Sequence, residues 1–247
     1  MAKKRKKITR AGRMVRVCIY TPPRVGDPPG GRRAKLKVST QAQQLHNRKL
    51  AREKAEDMLA ENFDIGDLLV TLTYSEAKYP SSRSAAEGRL KDWRSRVCKA
   101  FRAMHKPEPV IFWVTEEKHG DGRLHHHVVI KSPKHCFNIL RNCWHFGKVV
   151  DIKKLRVDSE KNYESLARYL CKESPDRPGR HQWHISRNAS RPDVYTTWVA
   201  GDEMVRPPKG SLVLSSGSEH NNQFGASFQY AVYILPLIRK RHVSKKK

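Results

Sequence analysis

The 247-residue chain has few cysteines: Cys18, Cys98, Cys136, Cys143 and Cys171 are odd in number and scattered, with no CxxC pair. That spacing offers neither a zinc ribbon nor a disulfide framework and fits free thiols in a reducing cytosol. No apolar run approaches the ~18 residues that a membrane span needs, so no membrane partner is expected. The opening Met1-Ala2-Lys3-Lys4-Arg5-Lys6-Lys7 lacks the apolar stretch of a secretory signal, so a cytoplasmic protein is expected. Acidic residues are scarce: 24 Asp and Glu stand against 50 Lys and Arg, a net charge of +26.

Part of that charge lies at the ends, with eight Lys or Arg in residues 1–16 and six in 239–247, and no acid in either. The remaining body still carries 36 basic against 24 acidic residues, or +12. An excess spread through body and ends suits a partner made of phosphates better than a merely solubilising charge. The apolar fraction of 38% supports one packed unit with less ordered ends. Residues 1–40, basic and rich in Pro and Gly, read as a largely disordered arm in which Val15–Tyr20 could add a strand. Residues 41–191 read as the folded domain, 192–238 as an extension of uncertain structure, and 239–247 as a basic tail.

Gln41–Ala60 has a helix-forming composition. Leu68–Tyr74 (LLVTLTY) is dense in β-branched and aromatic residues, which marks a buried strand. Ser84–Met104 carries an apolar stripe at i, i+3, i+4 and i+7 and reads as a helix. Val110–Glu116 and Leu124–Lys131 read as a hairpin around the Lys118–Arg123 turn. Cys136–His145 follows as a helix, Val149–Leu155 as a strand, and Glu160–Lys172 as a helix capped by Asp158 or Ser159. His181–Ser186 is a candidate fifth strand; Ser211–Leu214 and Phe228–Leu235 look strand-like without a placement. The order β-α-β-β-α-β-α-β predicts an α+β fold of ferredoxin-like or palm type, with helices packed on a central five-stranded antiparallel sheet.

Side chains alternate faces along a strand, so His125 and His127 project together, about 7 Å apart along the strand, while His126 points away with Val128 and Ile130. Two such imidazoles can converge on one cation; imidazole suits Mn²⁺, Zn²⁺ and similar ions, and a neighbouring carboxylate extends the choice to Mg²⁺. Glu116 and Glu117 lie at the rim of the partner strand, and only one of them can face the histidines. Arg123 would place a cation beside the cluster to engage phosphate. On the later helix, Tyr169 and Lys172 share a face one turn apart. A free phenol is a poor nucleophile unless a cation or metal stabilises its phenolate, and Lys172 supplies such a cation. Tyr163, about 120° around the helix, is expected to pack or cap.

Thr71-Leu72-Thr73-Tyr74, Gly122-Arg123-Leu124-His125-His126-His127 and Tyr169-Leu170-Cys171-Lys172 resemble, in order, the three motifs of the HUH endonucleases. The resemblance covers roughly Asn62 to Arg191 and is nearest to the rolling-circle replication initiators of plasmids and bacteriophages. It implies a DNA-nicking enzyme with Tyr169 as nucleophile assisted by Lys172. It implies Glu116 as third ligand beside His125 and His127, with Mg²⁺ or Mn²⁺ as cofactor. Arg123, Thr71, Thr73, Arg168 and Arg187 are the expected DNA contacts. The implied partner is single-stranded DNA or a hairpin origin, with a host helicase and polymerase beside it. The second motif departs from the family in having a histidine, His126, at its middle position, so the ligand assignment depends on strand register. The third motif has Ser165 where some relatives carry a second tyrosine. A transposase or relaxase of the same superfamily is the alternative enzyme. A non-catalytic nucleic-acid-binding protein, with Trp93, Trp113 and Trp183 stacking bases, is the alternative of a different class.

Overall fold

The computed structural model describes residues 3–22, 41–117, 122–131, 136–147, 150–156, 162–172, 181–221 and 226–237. The fold is α+β, and the chain divides into two compact units, residues 30–191 and residues 1–29 with 192–247. Among the described residues no helix is long and apolar enough to cross a membrane.

The unit of residues 30–191 contains α1 (Gln41–Asn62), β3 (Leu68–Leu72), α2 (Arg83–Ala103), β4 (Ile111–Glu116), β5 (His125–Ile130), α3 (Phe137–Asn142), β6 (Val150–Lys154), α4 (Glu164–Leu170) and β7 (His184–Ile185). Its five strands form one antiparallel sheet in the order β6-β3-β5-β4-β7. The order of elements follows the alternation of periodicities in the sequence. Leu68, Val70 and Leu72 of β3 lie opposite Ile130, Val128 and His126 of β5, so one sheet face is continuous and apolar. That face is covered by Leu90, Trp93, Val97 and Phe101 of α2 and Leu140 of α3, all buried. Ser82 opens α2 by accepting a hydrogen bond from Ala85 N at 3.2 Å, which satisfies one of the first-turn amides.

The opposite face carries His125, His127, Thr71 and Glu116, with α4 above it and α1 packed along α4. Helix α4 is shorter than Glu160–Lys172: it begins at Glu164, whose amide donates to Asn162 Oδ1 at 3.0 Å. The cap is therefore supplied by Asn162, while Asp158 and Ser159 lie outside the described residues. Tyr163 precedes the helix fully buried, its hydroxyl donating to Phe63 O at 2.5 Å.

The other unit corrects the reading of the chain ends. Residues 1–40 were expected to be a disordered arm, yet β1 (Lys4–Ala11) and β2 (Met14–Tyr20) form a hairpin in which Ala11 faces Met14. Residues 192–238 supply β8 (Asp193–Val199), β9 (Leu212–Asn221) and β10 (Ala226–Ile234). Together they make a second five-stranded antiparallel sheet, β8-β1-β2-β10-β9. The charges of KRKKITRA conceal a strand whose pairing comes from its neighbours: Ile8 lies opposite Val17, and Val17 opposite Ala231. Val15, Val17, Ala231 and Tyr233 form the core of this sheet, with Ile8, Val205 and Leu235 against it. Residues 23–40 and the 239–247 tail lie outside the described residues.

Candidate metal centre and tyrosine helix

Strand register decides which histidines share a face. Glu116 lies opposite His125, Val114 opposite His127, and His127 opposite Thr71. His126 is fully buried on the apolar side, with Nε2 2.6 Å from the Tyr74 hydroxyl and Nδ1 3.0 Å from Thr115 Oγ1. Burial pushes its pKa down to about 3, so it stays neutral and structural, and the extra histidine of the second motif is a core residue.

On the other side, His125 Nε2 and His127 Nε2 lie 3.4 and 3.6 Å from Glu116 Oε2. One donor atom from each of these three residues falls within 4.8 Å of the other two. Each imidazole is held from behind. His125 Nδ1 donates to Arg123 O at 2.8 Å, and His127 Nδ1 is 3.2 Å from Thr71 Oγ1. Fixing Nδ1 in this way turns both Nε2 atoms toward the carboxylate, as outer hydrogen bonds do around metal-ligating histidines.

Glu116 is 1% exposed, and its Oε1 is buried with no hydrogen-bond donor among the described residues. Burial alone would raise its pKa; hydrogen bonding from His125, His127 and Lys172 outweighs this and holds the carboxyl well below the usual carboxylate range. The hydrogen bond to Glu116 raises the pKa of His125 against the opposing effect of burial. A buried anion with an oxygen to spare, facing two oriented imidazoles, is a donor set that fits a divalent cation. Glu117 is turned outward, 4.0 Å from Arg83.

Helix α4 brings its side chains to the same place. The Tyr169 hydroxyl is 3.1 Å from His127 Nε2, and Lys172 Nζ is 2.9 Å from Glu116 Oε2 and 4.4 Å from the centre of the Tyr169 ring. Tyr169 is 42% exposed, so a strand of polymer can reach its oxygen. Leu170 and Ala167 anchor the buried side of the helix.

A family model of replication-associated proteins of the ORF2 type matches residues 67–174. That segment is similar to replication-associated proteins, and it contains Thr71, Glu116, His125, His127, Tyr169 and Lys172. No curated protein and no solved structure matches the chain.

The remaining residues singled out in the sequence are placed differently. Arg123 points away from the cluster, 3.6 Å from Glu76 and 4.9 Å above the Tyr79 ring. The hydroxyl of Thr71 is used to orient His127, and Thr73 receives the Trp144 indole N–H on its carbonyl at 2.7 Å. Arg168 is exposed and paired with Glu164 at 2.5 Å; Arg187 is exposed. The three tryptophans proposed for base stacking are structural instead. Trp93 is fully buried and donates to Leu140 O, Trp183 stacks on Phe112, and Trp113 lies under Arg94 at 3.6 Å. Sequence reasoning missed Asp151, which lies opposite Thr71 on the cluster face and 2.7 Å from Lys153. Only the pairing of β6 with β3 brings it there.

Proposed function

We propose that the chain is a replication initiator endonuclease of the HUH type, which nicks single-stranded DNA through Tyr169. The observation that carries this reading is the 3.1 Å approach of the Tyr169 hydroxyl to His127 within the His-Glu-His cluster. His125, His127 and Glu116 would hold a divalent cation, Mg²⁺ or Mn²⁺, which when bound supplies Lewis-acid polarisation of a phosphoryl oxygen. Tyr169 attacks the phosphorus in line, the bond to the 3′ oxygen breaks, and the phenol proton passes in net terms to the departing 3′-hydroxyl. One phosphodiester linkage is exchanged for another, so the 5′-phosphotyrosine keeps the energy needed for religation. Lys172 favours the phenolate and offsets charge on the phosphate. The freed 3′ end is the primer for rolling-circle synthesis. With Ser165 at the position four residues before it, Tyr169 acts as a single nucleophile.

The test is a labelled pool of single-stranded oligonucleotides incubated with Mn²⁺ and run on a denaturing protein gel. A covalent protein–DNA species is expected, lost in Tyr169→Phe and in EDTA, with sequencing of the trapped 5′ end giving the cleavage site. An adduct that persists in Tyr169→Phe removes the nucleophile assignment, and cleavage unaffected by EDTA removes the metal.

A further inference from the structure

The second sheet has one face packed around Val15, Val17 and Tyr233, while part of its other face is open and combines aromatic rings with cations. Register sets two rows across it. Trp198 lies opposite Arg5, Arg5 opposite Tyr20, and Tyr20 opposite Phe228. In the next row Lys7 lies opposite Cys18, and Cys18 opposite Tyr230. Trp198 is 52% and Phe228 39% exposed; Arg5 sits 4.6 Å over the Trp198 ring. The Phe228 and Tyr230 rings lie 5.7 Å apart and only 30° from parallel. Tyr230 lies flat because its neighbour is Gly217: a Cβ there would meet the ring at 2.7 Å.

Large aromatics left in water on a paired, rigid sheet call for a flat ligand, and the interleaved cations call for an anionic one. Stacked bases joined by phosphates meet both demands. The sequence segments 23–40 and 238–247 are themselves basic, with five Lys or Arg against one acid and six against none, so like charge disfavours them as cover for this face.

We propose that this face is a second docking surface for single-stranded DNA, distinct from the His-Glu-His cluster, with bases on Trp198, Tyr20, Phe228 and Tyr230 and phosphates over Arg5 and Lys7. The preference for DNA over RNA rests on the proposed function; the surface itself does not. The test is fluorescence anisotropy of the full chain with labelled oligo(dT) in EDTA, where no nicking takes place. Trp198→Ala with Phe228→Ala should weaken binding about tenfold or more, while Trp198→Phe with Phe228→Tyr retains it. Arg5→Ala with Lys7→Ala should flatten the salt dependence. Tyr169→Phe and His125→Ala with His127→Ala should bind as wild type, so failure of the nicking reading leaves this result standing. Unchanged affinity in the aromatic variant at an unchanged melting temperature overturns the proposal, as does an equal loss on duplex DNA. Tighter binding of an RNA of the same length overturns the choice of DNA.

Discussion

Replacing Lys172 by methionine should make the metal-free protein less stable and the metal site tighter. Lys172 Nζ lies 2.9 Å from Glu116 Oε2, the oxygen that both histidines face, so the ammonium and a bound cation compete for one carboxylate. Breaking a buried ion pair by removing one partner costs about 3–5 kcal/mol. The Lys172 side chain is 30% exposed, and solvent screening reduces that to about 1–2 kcal/mol. At this chain length each kcal/mol is roughly 2–4 °C in melting temperature. Thermal unfolding in EDTA should therefore show Lys172→Met melting lower by about 2–8 °C, and saturating Mn²⁺ should close most of the gap. Calorimetric titration should find Mn²⁺ bound about 5–30-fold more tightly by the variant, the same energy expressed as affinity. Adduct formation should fall in the same protein, because the phenol has lost its cation. Equal Mn²⁺ affinity in the two proteins, or a stability deficit that Mn²⁺ leaves untouched, would refute the shared-carboxylate argument.

Thr71→Val keeps the shape of the side chain and removes the oxygen 3.2 Å from His127 Nδ1; Mn²⁺ affinity should drop about 10–100-fold by calorimetry, and an unchanged affinity would deny Thr71 its orienting role. His126 accepts a proton at about pH 3 when folded and near pH 6.5 when unfolded. Its contribution is therefore complete above about pH 6.5 and is lost as the pH falls, with a slope of at most about 1.4 kcal/mol per pH unit. His126→Gln should flatten the urea-midpoint profile between those values, and parallel profiles would count against a neutral buried imidazole. Gly147→Ala would drive a Cβ into Thr73 O, where the Trp144 indole already donates; about 1–3 kcal/mol of stability should be lost in chemical denaturation, and a neutral result would mean that the turn relaxes freely.

The sequence made the first sheet readable because its periodicities are strong and local. LLVTLTY and LHHHVVIK alternate or saturate with β-branched residues, and the α2 stripe recurs at helical spacing. The pairing of Glu116 with His125 was implied by a resemblance, and the register of β4 on β5 supplies its geometry. What stayed hidden depended on partners distant in sequence. Strand β1 is five-eighths charged and becomes a strand only between β2 and β8. Arg123 was expected at the cluster, but Glu76 and the Tyr79 ring draw it elsewhere, and its carbonyl rather than its guanidinium serves His125. A one-dimensional pattern carries neither fact.

The second sheet is stitched from the two outer stretches of the sequence, and this has consequences for how the polypeptide is made. Strands β1 and β2 leave the ribosome early, yet β8 and β10, their lateral neighbours, are translated only after the whole of residues 30–191. The catalytic candidate can thus condense as one uninterrupted stretch while a charged ribbon waits for its mates. Trimming the first 22 residues as a dispensable leader would strand β8, which joins its sheet only through β1, and would bare the edge of β10.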